Sequence, residues 1–111
     1  MSEADEQIKV IQWCDSIGAP VFHIPNGGSR NPREAANLKR QGVRAGVPDL
    51  CIPVANGGYH GLYIEMKAGK KKKTDNQVRW LELLRRNGYA AFVCYGADNA
   101  IECIRRYLHD A

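Results

Sequence analysis

Apolar and polar residues alternate most strictly in L-Y-I-E-M-K at 62–67. Strand side chains repeat every two residues, so the apolar members face one side and Glu65 and Lys67 share the other. Upstream, residues 50–55 are short, apolar and β-prone, and residues 56–58, N-G-G, are typical of a turn. The pattern predicts a β-hairpin with Glu65 and Lys67 as neighbours on one face.

The rest of the chain shows helical periodicity and two further apolar strands. Helices are predicted at 2–17, with Ser2 as N-cap, at 31–41, at 74–87 and from Asp98 or Asn99 onward; strands are predicted at 20–25 and 89–95. The order is αβα, ββ, αβα, and the helical crossover makes the last strand parallel to the Glu65 strand. This order predicts an α/β fold, a mixed sheet flanked by helices, in one domain spanning 1–111.

Asp49 follows Pro48 where the first hairpin strand begins. The hairpin would bring its carboxylate close to that of Glu65. Two carboxylates on rigid strands suit Mg²⁺ or Mn²⁺, and Lys67 beside them can serve the water that attacks a phosphodiester. Because P-D followed by E-x-K also arises by chance, the alternative is a surface ion pair of Glu65 with a neighbouring cation.

Longer stretches decide between these alternatives. G-V-R-A-G-V-P-D-L at 42–50, L-Y-I-E-M-K, Gln77, W-L at 80–81 and N-G-Y at 87–89 resemble the VRR-NUC family of the PD-(D/E)xK nuclease superfamily. The resemblance implies a restriction-endonuclease-like core and a metal-dependent, structure-selective DNA endonuclease. We expect a Holliday junction resolvase of phage or viral-type DNA replication, recombination or repair. The alternatives are a flap or end-processing DNA nuclease of the same fold and a non-catalytic DNA-binding module.

The resemblance also assigns roles at the hairpin. Asp49, Glu65 and the backbone carbonyl of Met66 are the expected ligands of Mg²⁺ or Mn²⁺, and Lys67 is the residue expected to serve the attacking water. These groups would form the catalytic centre.

Two more residues are expected to support that centre. The family has a first-helix glutamate near its metal; Glu6 matches it best and is expected as a metal ligand and catalytic group, with Glu3 as the rival. Without a metal, Glu6 would be a favourable anion near a helix N-terminus. Gln77 is expected to position the lysine, the water or the scissile phosphate; its alternative role is to cap the backbone at Thr74.

A net charge of +4 and a pI near 9.0 favour a polyanionic partner. The expected DNA contacts come from the glycine-rich turn after the first strand, the arginine before the Asp49 strand and the lysine run after the hairpin. They are Asn26, Ser29, Arg30, Arg44, Lys70, Lys71, Lys72 and Lys73. The lysine run has a simpler alternative as a solvated loop.

The four cysteines lie in apolar periodic segments without a C-x-x-C pair, so we expect buried, reduced thiols. Apolar stretches are too short to span a membrane, and the first residues are acidic, unlike a signal peptide. A cytoplasmic protein is expected, in a bacterial host cell if the chain is phage-encoded.

Cutting two opposed strands of a four-way junction requires two active sites, and each chain carries one. A homodimer is therefore expected. Apolar side chains left over from the core would form its interface; the candidates are Tyr59, Leu62, Trp80 and Tyr107.

Overall fold

Four strands form one mixed sheet with helices on both faces. The computed structural model describes residues 1–26 and 31–109. Its elements are α1 (Glu3–Ile17), β1 (Phe22–His23), α2 (Pro32–Arg40), β2 (Leu50–Ile52), β3 (Leu62–Lys67), α3 (Asp75–Arg86), β4 (Ala90–Tyr95) and α4 (Ala97–His109). This is the predicted order, and it confirms the predicted fold class.

The strands lie in the order β1-β2-β3-β4. β1 and β2 are antiparallel, β2 and β3 form the antiparallel hairpin with Leu50 opposite Ile64, and β3 and β4 are parallel. The parallel pairing predicted from the helical crossover is confirmed. β3 is a central strand, but β2 begins opposite Ile64, so the carboxyl end of β3 that carries Glu65 and Lys67 is paired with β4 alone.

The two faces of the sheet are covered differently. Leu62, Ile64 and Met66 are fully buried against α1 and α4, in one cluster with Val10 and Ile104. The opposite face is covered by α3 in a smaller cluster, in which Leu81 and Leu84 lie beside Tyr63. Glu65 and Lys67 are on this second face, as the alternation predicts.

Local sequence signals set the ends of the helices. Ser2 and Asp5 form a capping box at the start of α1, and the Asn31 side chain accepts the first free amides of α2 ahead of Pro32. Thr74 and Gln77 form the second capping box, which opens α3 as predicted.

Several predicted boundaries differ from the structure. β2 ends at Ile52 instead of residue 55, immediately before Pro53, which has no amide hydrogen to donate to a ladder. β1 has only two residues and lies between two prolines. α4 begins at Ala97, so Asp98 and Asn99 lie inside the helix and not at its N-cap; the Glu6 side chain accepts the Ala97 amide, and Asn99 accepts from the Tyr95 amide ahead of the helix.

The structure removes two candidates for a dimer interface. Leu62 is fully buried in the core, and Tyr107 is 9% exposed with its hydroxyl donating to the Val54 carbonyl. Tyr59 is 47% exposed, and Trp80 is partly buried. The alternation in β3 placed Leu62 on the apolar face, but it did not show how completely α1 and α4 cover that face.

All four cysteines are free thiols; three are buried and Cys103 is partly buried, as predicted. Burial raises the pKa of Cys14 to about 11. No helix in the described part of the chain is long and apolar enough to cross a membrane.

Candidate active site

Three carboxyl groups converge where β2 begins and β3 approaches its end. Glu3, Asp49 and Glu65 each present one oxygen, and these oxygens lie within 4.8 Å of one another. We call these three residues the acidic group. Glu3 comes from the first turn of α1, Asp49 precedes β2, and Glu65 lies in β3.

Hydrogen bonds to the backbone hold Asp49 in place. Its Oδ2 accepts from the Met66 amide at 2.8 Å, and its carbonyl oxygen accepts from the Ile24 amide at 2.8 Å. The side chain is thereby fixed to β3 and the main chain to the segment after β1. The predicted approach of the Asp49 and Glu65 carboxylates follows from this hairpin register.

Gln77 caps the backbone at Thr74, as one of its two predicted roles requires, and it also contacts the acidic group through Glu65. Its Oε1 accepts from the Thr74 amide at 2.9 Å, and its Nε2 donates to Glu65 Oε2 at 3.1 Å. The helix cap thus leaves the amide nitrogen facing Glu65. A capping residue of α3 is at the same time the hydrogen-bond donor that orients a carboxylate of the acidic group.

The three carboxylates crowd one another, and Glu65 is the most buried of them. Glu65 is 4% exposed. Burial, the neighbouring Asp49 charge, the hydrogen bond with Asp49 and, more weakly, Glu3 raise the pKa of Glu65 to about 8, whereas Lys67 acts in the opposite direction. Lys67 is itself only 8% exposed and lies on the same face of β3. A cation bound here would relieve the repulsion between the carboxylates.

The ligand chemistry fits a hard divalent cation. Carboxylate oxygens are preferred by Mg²⁺ and Mn²⁺, and three of them are close enough together to share one ion. The expected fourth ligand, the Met66 carbonyl, belongs to the residue whose amide binds Asp49, so the backbone at this position is tied directly to the acidic group.

Glu6, the glutamate of α1 that was expected to bind the metal, does not lie in the acidic group. Its Oε2 accepts from the Ala97 amide at 2.6 Å, so it caps the N-terminus of α4. The rival residue Glu3 takes the place expected of Glu6 beside Asp49 and Glu65. The two residues are three positions apart on one side of α1, and their carboxylates have different partners: Glu3 joins the acidic group, and Glu6 accepts the first amide of α4.

Gly46 is a structural requirement of the site that the sequence interpretation missed. Its φ is +93°, and a Cβ at this position would lie 2.5 Å from the Asn76 carbonyl carbon. The segment leading to Asp49 therefore packs directly against the first turn of α3, which carries Gln77. The G-V-R-A-G-V-P-D-L stretch supplied the family resemblance and Asp49, but no role was predicted for Gly46.

The residues expected to contact DNA are mostly exposed. Lys70, Lys71, Lys72 and Lys73 are all exposed, and the Lys71 carbonyl accepts from the Tyr95 hydroxyl at 3.0 Å. Ser29 and Arg30 lie outside the described residues.

Asn26 and Arg44 also have structural roles. Asn26 Nδ2 donates to the Val47 carbonyl at 3.2 Å, and one guanidinium nitrogen of Arg44 donates to the Lys39 carbonyl at 2.9 Å. Asn26 thus supports the segment that leads to Asp49, and Arg44 closes the end of α2.

A mixed sheet with carboxylates and a lysine at the end of a central hairpin defines an α/β nuclease fold of the PD-(D/E)xK type. The model of the VRR-NUC domain matches residues 1–98, and the chain belongs to this family. The chain is thus a nuclease domain, and the predicted family is confirmed.

Solved structures of VRR_NUC domains have a similar fold. A VRR_NUC domain protein is 36% identical, with a TM-score of 0.83, covering 97% of this chain and 88% of the other. A second structure, a VRR_NUC domain, has 22% identity and a TM-score of 0.65, covering 95% and 96% of the two chains, and shares the fold. A comparison with curated proteins found no match.

Proposed function

We propose that this chain is a Mg²⁺- or Mn²⁺-dependent, structure-selective DNA endonuclease that resolves four-way junctions. The observation that carries the proposal is the convergence of three carboxylate oxygens within 4.8 Å, beside Lys67, in a nuclease domain. A purely DNA-binding module would have no need to crowd three carboxyl groups together with one of them buried, which is unfavourable without a bound cation.

Each residue has a distinct part in the proposed reaction. Glu3, Asp49, Glu65 and the Met66 carbonyl would hold the cation. When bound, the cation would supply Lewis-acid stabilisation of the charge that develops on the phosphodiester. Lys67 would serve the attacking water from the same face of β3.

Gln77 would keep Glu65 oriented toward the cation, since its Nε2 already donates to that carboxylate. The basic surface formed by Arg44 and the lysine run would attract the DNA backbone.

A substrate panel tests the proposal. A four-way junction, a flap, a blunt duplex and closed circular DNA would be incubated with Mg²⁺, with Mn²⁺ and with EDTA. Preferential cutting of the junction with either metal supports a resolvase. Preference for the flap or for DNA ends would assign the end-processing alternative, and binding without metal-dependent cutting of any substrate would leave the DNA-binding module.

The panel needs a matched inactive control. Asp49→Asn removes one carboxylate charge from the acidic group and changes neither the core nor the basic surface, so the same panel run with this variant measures the cutting that does not depend on Asp49.

We further propose a homodimer as the working unit, because paired cuts require two sites. Light scattering at assay concentrations measures the mass, and a junction held in a plasmid reports whether both strands are cut in one binding event. A monomer that makes paired cuts would contradict the dimer.

The free cysteines support a reducing, cytoplasmic setting, in a bacterial host if the chain is phage-encoded.

A further inference from the structure

A cavity of about 490 Å³ is walled by segments that also carry residues of the site. Three wall residues are close in sequence to residues of the site. Val47 is two residues before Asp49, and Tyr63 is two residues before Glu65 in β3. Trp80 is one helical turn after Gln77 in α3. Alternate strand residues are about 7 Å apart on one face, so Tyr63 is the immediate neighbour of Glu65 on that face.

The walls have the chemistry that binds a flat aromatic ring. Trp80 and Tyr63 are partly buried, Ile24 and Leu84 add apolar surface, and Arg44 borders the cavity. Nucleobases stack on aromatic side chains and on guanidinium planes, and such stacking is largely independent of sequence. The walls are mainly apolar, with Gln41 and Arg44 as their polar side chains, so they suit the face of a base better than a phosphate group.

We propose that this cavity, hereafter the base cavity, receives one unpaired nucleobase of the bound DNA, from a nucleotide beside the phosphate at the acidic group. The inference rests on the proposed DNA nuclease function and extends it to substrate selection. A base must leave its stack to enter, and this costs least where the duplex is already interrupted. The base cavity would therefore favour branched DNA over continuous duplex without reading sequence.

The chain has two tryptophans, which provide a matched pair of reporters. Trp13→Phe leaves Trp80 as the single tryptophan. Trp80→Phe leaves Trp13, which lies on α1 with the Arg105 guanidinium 5.4 Å from its ring. Each variant is titrated with a four-way junction in EDTA, so that no cleavage occurs. We expect DNA to quench Trp80 fluorescence and leave Trp13 fluorescence unchanged; equal responses of the two tryptophans would overturn the proposal.

An abasic scan identifies the base concerned. One nucleotide at a time near the branch is replaced by an abasic site, and binding is measured for the wild-type chain and for Trp80→Leu. We expect one position whose abasic substitution weakens wild-type binding by about 5- to 100-fold but leaves Trp80→Leu binding unaffected. Equal sensitivity in both chains, or no sensitive position, would overturn the base cavity. If Trp80→Leu does not fold, the fluorescence comparison decides alone.

Failure of this inference is distinguishable from failure of the nuclease proposal. Both measurements use binding without divalent metal, so a protein that binds DNA with Trp80 quenching but never cuts retains the base cavity and loses the nuclease activity. A protein that cuts junctions without a Trp80 response or a sensitive position retains the activity and loses the base cavity. Absence of any DNA binding would overturn both.

Discussion

The two faces of β3 show how one short strand separates stability from chemistry. Leu62, Ile64 and Met66 are fully buried against α1 and α4, whereas Glu65 and Lys67 are buried on the opposite face at 4% and 8% exposure. Burying the apolar side chains is favourable, and burying like-charged carboxylates together is not. The apolar face therefore fixes the strand on which the charged face is assembled.

The largest expected effect follows from disrupting the charged face. Asp49→Asn, Glu65→Gln or Lys67→Ala should each lower the cleavage rate roughly a thousandfold or more, because each removes a group that holds the cation or serves the attacking water. Single-turnover cleavage of a junction measures the effect. Melting curves and DNA binding in EDTA provide the controls; a folded variant with nearly wild-type turnover would remove that residue from the site.

Disrupting the apolar face should change stability instead. Ile64→Ala deletes a fully buried side chain and should cost about 2–5 kcal/mol of unfolding free energy, measured by urea denaturation. Phe92, its partner on β4, is 46% exposed, so Phe92→Ala is the matched control with a smaller loss. Similar losses for both variants would contradict the description of this face as the main core.

The lysine run should affect affinity without affecting chemistry. Changing Lys70–Lys73 to Ser should weaken binding to every substrate and reduce the slope of log affinity against log salt by up to about four. Cleavage at saturating DNA should be retained. Arg105→Ser with Arg106→Ser is the control, because these two cations already pair with Glu102 on α4. An unchanged slope would identify the run as a solvated loop.

The pH dependence of stability probes the crowding of the acidic group. Since the folded-state pKa of Glu65 is raised to about 8, the folded chain retains a proton that the unfolded chain releases above its ordinary pKa near 4.5. Stability of the metal-free protein is therefore lost as pH rises between these two values. Glu65→Gln should remove this loss and melt a few degrees higher than wild type at pH 8, with a smaller difference at pH 5. Mg²⁺ should raise the wild-type melting temperature at pH 8; equal pH profiles for the two chains would contradict the crowding.

Much of this architecture follows from local signals in the sequence. The alternation in β3 predicted its two faces, and the Thr74 and Gln77 pair predicted the start of α3. The hairpin brought Asp49 close to Glu65 because each is the residue next to the last pair of the ladder, Leu50 and Ile64. Each of these predictions depends on contacts that are near in sequence or fixed by strand pairing.

The remaining features depend on how the helices dock. Glu3 and Glu6 lie on one side of α1, so periodicity alone does not show which of them joins the acidic group. That depends on the position of α1 along its own axis, which Val10 and Cys14 fix by packing into the core. The base cavity requires α3 and the segment before Asp49 to meet at Gly46. No local pattern specifies these distances.

The two glutamates of α1 provide the smallest and most discriminating test. Glu6 caps α4 through the Ala97 amide, and a glutamine there keeps an acceptor oxygen but loses the charge that favours a helix N-terminus. Glu6→Gln should therefore cost roughly 0.5–1 kcal/mol of stability and leave the cleavage rate of the folded protein unchanged. Glu3 is one turn earlier and also partly buried. Glu3→Gln should lower the cleavage rate and leave stability nearly unchanged, because Glu3 lies in the acidic group and caps no other helix in the described residues. Thermal melts and single-turnover cleavage of both variants, with Mg²⁺ concentration varied, separate the two roles. If Glu6→Gln raised the Mg²⁺ requirement while Glu3→Gln did not, Glu6 would be the helix carboxylate that binds the cation.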